Sequence, residues 1–186
     1  MGTLDDWGCS EIIGDGFSLR QFEISFISDQ YLSWLRDKEV NRHLIGANSE
    51  TSIESVKKYC LNLIESPDNL FLGIFTRERS CHIGNVRLGP FHTSEKKSGF
   101  GIMIGDSRYR GIGLGTKIIA SSVAFCFGSM GMEQFILEVP VEHAAAQRAY
   151  INNGFRPTGI RRKVCRADGI SMELEEMILS KNGGIP

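Results

Sequence analysis

Nothing in the 186 residues approaches the ~18 consecutive apolar positions of a membrane-spanning helix. The acidic start (Asp5, Asp6, Glu11) lacks the basic-then-apolar plan of a secretory leader. Neither sign of charge predominates. The net charge is −1, so no global field draws in nucleic acid or an anionic membrane. The five cysteines, Cys9, Cys60, Cys81, Cys126 and Cys165, are odd in number, far apart and free of any Cys-x-x-Cys. That argues against a disulfide framework or a metal site and for reduced thiols in the cytoplasm, most of them acting as small core residues. Repeats, linkers and low-complexity runs are missing too. What remains is an ordinary globular composition, 41% hydrophobic and 23% charged, at a length that suits one domain over residues 1–186.

The organising stretch is Arg110-Gly111-Ile112-Gly113-Leu114-Gly115-Thr116. It follows a short apolar run, Phe100 to Ile104, that reads as a strand. It precedes Lys117 to Phe125, whose apolar residues recur at helical spacing. Glycine at a strand-to-helix junction permits left-handed φ angles and a close backbone approach to a ligand. The first N–H groups of the helix have no intrahelical acceptor, and with the helix dipole they suit phosphate. A P-loop needs Gly-Lys-Ser/Thr at its end, but here Lys117 follows Thr116. A dinucleotide fold needs Gly-x-Gly-x-x-Gly, and the spacing here is Gly-x-Gly-x-Gly, although Glu138 does end the next strand. A third pattern, Arg-x-x-Gly-x-Gly, matches. A glycine-rich turn with no ligand is the plain alternative.

Around this corner the elements read in order. Residues 1–16 show no clear period and form a short strand or an arm. Phe17 to Phe26 alternates as a strand. Ser28 caps a helix that runs to about Leu44, with Asp37, Glu39 and Arg42 on its solvated face. Thr51-Ser52-Ile53-Glu54 is a capping box for a second helix. Strands at Leu70 to Thr76, Cys81 to Leu88 and Gly99 to Ile104 make a meander, with Pro90 to Lys97 as a polar loop. After the glycine corner and its helix come a strand at Phe135 to Val139 and a helix at Glu142 to Asn152. A hairpin follows, Arg161 to Cys165 with Ser171 to Leu179, and residues 181–186 form a frayed tail. The strands flanking the corner should be parallel neighbours, since a helix crosses between them.

Glu138-Val139-Pro140-Val141-Glu142-His143 leads into Ala144-Ala145-Ala146-Gln147-Arg148-Ala149-Tyr150-Ile151-Asn152-Asn153-Gly154-Phe155. Together with Arg-x-x-Gly-x-Gly, this resembles the two signatures of the GCN5-related N-acetyltransferases (GNAT). The second is Asn-x-x-Ala-x-x-x-Tyr-x-x-x-Gly-Phe, matched by Ala146, Tyr150, Gly154 and Phe155. The resemblance covers nearly the whole chain. It implies an α+β fold with a central mixed, mostly antiparallel twisted sheet of about seven strands. Helices would cover both faces, and the fourth and fifth strands would splay into a V. It implies an acetyl-CoA-dependent N-acetyltransferase. Backbone groups of Ile102, Met103 and Ile104 would pair with pantetheine. Amides from Arg110 through Gly111, Ile112, Gly113, Leu114 and Gly115 to Thr116 would hold the diphosphate. The Tyr150 phenol would protonate the leaving thiolate, being neutral at pH 7 with an ordinary pKa of ~10. Packing in the core is the other reading of Tyr150.

The family's asparagine falls at His143, which could contact pantetheine, act as a base, or face solvent. Glu138, at the strand end, is the first candidate for the general base, with a solvated charge as the alternative. Tyr31 and Trp34 could stack on a sugar or base, or be plain core, and His43, Asn85 and Arg87 could face the acceptor. The first helix looks like that of two branches, one acetylating sugar nucleotides and one acetylating protein N-termini as in ribosomal-protein alanine acetyltransferases. The expected acceptor is a small-molecule amine, an amino sugar first. Peptide N-termini, aminoglycosides or polyamines follow, and a non-catalytic acyl-CoA-binding module stands as the non-enzyme alternative. A homodimer is left open.

Overall fold

The computed structural model describes residues 2–46 and 52–183. Its strands are β1 (Glu11–Gly14), β2 (Phe17–Gln21), β3 (Leu70–Thr76), β4 (His82–His92), β5 (Lys97–Ile104), β6 (Gln134–Pro140), β7 (Arg156–Cys165) and β8 (Ser171–Ser180). Its helices are α1 (Asp29–Arg36), α2 (Lys38–Asn41), α3 (Ile53–Glu65), α4 (Leu114–Gly128) and α5 (Ala144–Ile151). All eight strands join one sheet in the order β1-β2-β3-β4-β5-β6-β8-β7. The sequence leads one to expect about seven. The additional strand is β1, a short partner of β2 paired from Glu11↔Arg20 to Gly14↔Phe17.

The sheet separates two apolar clusters. β3 is buried at every position, as a strand covered on both faces must be. Leu70, Leu72 and Ile74 pack with Phe100, Phe135 and Leu137 and with Ile118, Ile119 and Tyr150 of α4 and α5. Phe71 points the other way, to Phe22, to Tyr31, Leu32 and Trp34 of α1, and to Val56, Cys60 and Leu63 of α3. Helices therefore cover both faces, and this is the α+β architecture expected.

The parallel contact between β5 and β6 is confined to Lys97↔Gln134 and Ser98↔Phe135. Beyond it the two strands part, and each keeps its outer partner, β4 for β5 and β8 for β6. A V opens toward the C-terminal ends of both strands, where the glycine corner and α5 begin.

Several boundaries differ from the sequence reading. Alternation suggests a strand to Phe26, but β2 ends at Gln21 and Ile24–Phe26 form a 3-10 turn. Phe22 still donates its N–H to Phe71 O (2.9 Å), and its ring packs 4.5 Å from that of Phe71. The first helix does not reach Leu44. Asp37 takes an extended conformation (φ −63°, ψ 122°), and its carboxylate accepts from Glu39 N (3.0 Å), starting α2 anew. β4 continues through Pro90 to His92, absorbing the proline in a register shift between Leu88 and Phe91. β7 starts at Arg156, with a shift between Pro157 and Arg161. The N-cap of α3 is Ser52, which accepts from Ser55 N (3.1 Å), while Thr51 lies outside the described residues. Only Cys60 and Cys126 are buried; Cys81 and Cys165 are exposed and Cys9 is intermediate, so most cysteines are not core.

Candidate active site

The glycine corner is built from main chain. After β5, the N–H groups of Gly105 and Asp106 both reach Ile83 O (2.9 and 3.2 Å), and Ser107–Tyr109 form one 3-10 turn. Arg110 N closes that turn on Ser107 O (3.2 Å). Gly111 and Gly113 then take left-handed φ angles of 75° and 83°, which side chains resist. A Cβ at either would meet nothing within 4 Å. Gly113 is the N-cap of α4. Among the described residues, the N–H groups of Gly111, Ile112, Gly113, Leu114, Gly115 and Thr116 have no protein acceptor, and the next bond is Lys117 N to Gly113 O (3.4 Å). Of the seven amides expected to hold an anion, then, that of Arg110 is already used and six are free. The Ile112 side chain is turned out to solvent.

The Arg110 side chain turns away from the corner. Its Nη2 donates to Asp37 Oδ2 (2.8 Å) and to Gly105 O (3.2 Å). That bond, with the Glu39 amide second, holds the Asp37 carboxyl below the usual range. Asp37, expected on a solvated face, is thus a joint between α2 and the corner. At the other end of α2, Arg166 is buried. It donates to Asn41 O and Asn41 Oδ1 (both 2.7 Å) and pairs with Asp168. The hairpin turn of β7 and β8 is thereby fastened to α2.

Ile102, Met103 and Ile104 lie on β5 beyond its pairing with β6, all half-buried. Tyr150 is buried between Phe100 and Phe155, ring centroids at 6.1 and 5.4 Å. Burial pushes its phenol well above the ordinary value, so it stays protonated at any working pH.

His143 caps the start of α5, its N–H on Pro140 O (2.9 Å), at the open end of the V. Its ring stacks on that of His43, centroids 3.7 Å apart and planes 5° from parallel. These two candidates, a hundred residues apart, are brought into contact. Burial first, then the adjoining His43 ring and the Arg42 charge, push the His143 imidazole down to about 4.

The other candidates are placed as follows. Glu138 lies between Leu137 and Val139 of the α4–α5 cluster and so points to the opposite face, where both its oxygens accept from Arg162. Tyr31 is buried; its hydroxyl accepts from Asn85 Nδ2 (2.9 Å) and lies 3.8 Å from Cys60 Sγ. Burial raises the Tyr31 phenol strongly. Trp34 is buried against Gly105, where an added Cβ would fall 2.1 Å from the indole. Its edge also lines a cavity of about 390 Å³ with Gln30, Ser33, Asp37 and Arg110. Arg87 is half-buried on the α1–α3 face of β4. Sequence reasoning missed His82, whose ring is enclosed by Phe22, Phe26, Tyr31, Trp34 and Phe75 while Nε2 contacts Gly84 O and Asn85 Oδ1. It also missed Arg166. Neither sits in a motif. Among the described residues no cluster of metal-ligating side chains occurs, and no helix is long and apolar enough to cross a membrane.

A corner of open amides beside a split sheet defines a class of protein, and known proteins agree. The acetyltransferase (GNAT) domain model matches residues 17–156, and the chain belongs to that family. It is an acetyl-CoA-dependent N-acetyltransferase. Among solved structures it is similar to a spermidine N-acetyltransferase from Vibrio cholerae in complex with CoA and spermine, at 17% identity and a TM-score of 0.76, covering 90% of this chain and 97% of that one. A GNAT-family acetyltransferase from Bacillus anthracis matches at 13% identity and a TM-score of 0.76, covering 92% and 99%. A Vibrio cholerae structure named as a ribosomal-protein-serine acetyltransferase matches at 17% and 0.74, covering 91% and 97%. At these identities the likeness is one of fold. No curated protein matches the chain. The residues present fit acetyl-CoA: six open amides and two unobstructed glycines stand where a diphosphate would sit.

Proposed function

We propose that the protein acetylates a primary amine of a small molecule by direct attack on the thioester. The observation that supports this most is the row of unpaired amides from Gly111 to Thr116, placed at the mouth of the V between β5 and β6. Those amides and the dipole of α4 hold the diphosphate. The unpaired edge of β5 at Ile102, Met103 and Ile104 receives pantetheine as a strand would. Acetyl-CoA supplies an acetyl group already activated as a thioester. Tyr150, neutral because it is buried, gives its proton to the departing sulfur.

Acceptor choice falls to the face of the sheet under α1 and α3. Tyr31 and Trp34 are buried there and bonded or packed within the protein, so an amino sugar would not be held by stacking on them. Charge does the selecting instead. Glu138 stands directly opposite Glu176 across β6 and β8, with Arg162 on Glu138 and Arg87 on β4. The charges on this surface are balanced, and with Glu138 taken by Arg162 it is Glu176 that offers a carboxylate to a small cationic amine, amino sugar and polyamine alike. The spermidine acetyltransferase likeness favours the same class, and the ribosomal-protein-serine likeness makes a peptide N-terminus the second reading.

The test is thiol release from acetyl-CoA with glucosamine, spermidine, an aminoglycoside and a short peptide. One of the first three should give turnover, and release with the peptide alone would overturn the small-amine reading. Tyr150→Phe should then lower kcat about 10- to 100-fold with coenzyme A affinity unchanged, since only the proton donor is lost. A wild-type rate would remove Tyr150 from the chemistry.

A further inference from the structure

The acetyl-transfer reading leaves one proton without a destination, and the inference here rests on that reading. A nitrogen that attacks a thioester becomes acidic as its bond to carbon forms, and something nearby must take its proton. Glu138 is poorly disposed to do so, because both its oxygens are engaged by Arg162.

The stacked pair of His43 and His143 spans the open end of the V. His43 comes from the segment after α2, on the acceptor side, and His143 from the start of α5. His143 is the N-cap of α5, and Tyr150 lies seven residues further on, in the helix's last turn. Arg42 Nε donates to His43 Nε2 (3.1 Å). A guanidinium has no lone pair to offer, so His43 Nε2 carries no proton and this ring is neutral. Two imidazoliums with centroids 3.7 Å apart would repel strongly. The pair therefore holds one proton at most, and the ring nitrogen of His43 that would take it is already occupied by Arg42, which leaves His143.

We propose that His143 is the general base that receives the proton of the attacking amine, and that His43 is a positioning residue that holds its ring flat across the mouth of the V. In the transfer the N–C bond forms and the C–S bond breaks. One proton passes from nitrogen to His143 and one from Tyr150 to sulfur, and solvent carries the proton of His143 back to Tyr150. An acceptor that arrives as an ammonium first loses its extra proton to water. The charged groups around the pair are Arg42 and Glu39 from α2 and Glu142 ahead of α5. Arg42 disfavours a proton on both rings, while the two glutamates favour one on His43. Burial first, with the neighbouring His43 and Arg42, holds His143 down at about 4, so it is unprotonated throughout the neutral range.

The experiment uses the full chain with whichever amine of the panel turns over. His143→Gln should lower kcat by ~10²-fold or more and leave coenzyme A affinity by calorimetry within twofold. Added imidazole should restore part of the rate to His143→Ala. By NMR titration of the imidazole carbons, His143 should titrate low in the wild type and in His43→Phe, which keeps a flat partner. In His43→Ala it should move up toward the ordinary ~6.5, carrying the acid limb of the kcat profile with it. A wild-type rate in His143→Gln, or the same His143 titration in wild type and His43→Ala, overturns the proposal. Should the wild type bind no coenzyme A and acetylate nothing, the acetyl-transfer reading fails with it. Should transfer proceed in the wild type and survive in His143→Gln, only the base assignment fails.

Discussion

The corner at Gly111–Thr116 and the segment Asp37–His43 are joined by Arg110, yet they are built on opposite plans. At the corner the main-chain donors are open and the side chains stand aside, with Ile112 in solvent and Arg110 turned back. In the segment nearly every polar side chain is committed. Asp37 holds Arg110 and the Glu39 amide, Asn41 holds Arg166 and Leu35 O, and His43 holds Arg42 and the His143 ring. Groups left unsatisfied in the protein are those a ligand completes. Groups satisfied across long chain separations fix where an element stands. If that contrast is right, damage at the corner should remove ligand affinity, and damage in the segment should remove stability or geometry.

The largest effect should come from Gly113→Val. The site has room for a Cβ, with nothing within 4 Å, so no clash inside the protein accounts for the result. A left-handed φ of 83° disfavours a branched residue, by ~1–2 kcal/mol for the backbone alone, and the new side chain occupies the anion's space. Coenzyme A affinity measured by calorimetry should fall by ~100-fold or more, which is about 2.7 kcal/mol. Gly115→Ala sharpens the point. Gly115 has no positive φ and only Ile104 Cδ1 at 3.6 Å from an added Cβ, so alanine is tolerated by the fold. A weaker complex with an undiminished melting temperature would isolate close approach of the ligand. Wild-type affinity in the valine variant would refute the corner as the diphosphate site.

Next in size is Arg166→Ala, on the segment's side of the contrast. Arg166 is 5% exposed and bonded to Asn41 and Asp168. Its loss leaves Asn41 Oδ1 without this donor and Asp168 without its cation. The expected cost is about 2–4 kcal/mol of unfolding free energy by urea titration. Coenzyme A affinity of the molecules still folded should not change. A loss under ~0.5 kcal/mol, the range of ordinary surface changes, would mean the hairpin turn does not fasten α2.

The same division explains what could be read from the chain. The corner was legible because its work is done by glycines and by position, a strand before and a helix after, and both leave marks within a few residues. The split in the sheet was implied by the family resemblance, and the parallel pairing of β5 and β6 by the one helix that crosses between them. The segment was not legible. Helical spacing of Tyr31, Leu32, Leu35 and Val40 runs straight through Asp37, and nothing local shows that its carboxylate starts a new helix by capping Glu39 N while gripping a residue 73 positions away. Tyr31 and Trp34 left both readings open, because aromatics on a helix read alike whether they face a ligand or a core. Only the tertiary neighbours, His82, Asn85, Cys60 and Gly105, turn them inward. β4 ran past Pro90 because a register shift can carry a proline that a regular ladder would refuse.

The smallest expected effect tests the joint between the two regions. Asp37 has its carboxyl held down by Arg110 first and the Glu39 amide second. A carboxyl depressed in the folded state adds stability that is present above its unfolded value of ~3.9. That stability is lost as pH falls through the lower folded value. Asp37→Asn keeps an acceptor for the cap, since asparagine caps as well as aspartate, and removes only the charge facing Arg110. The side chains of Arg110 and Asp37 are 28% and 35% exposed, so solvent screens the pair and its worth at neutral pH should be at most ~1 kcal/mol. Asp106 and Asp168 are depressed as well and contribute their own acid dependence. The informative quantity is therefore the difference between wild type and variant, from urea unfolding at pH 7 and near pH 3. The wild type should be slightly the more stable at pH 7, and the gap should shrink in acid. A gap that stays constant with pH would show that the variant acts through the cap rather than through Arg110, and the corner and the segment would then be neighbours without an electrostatic link.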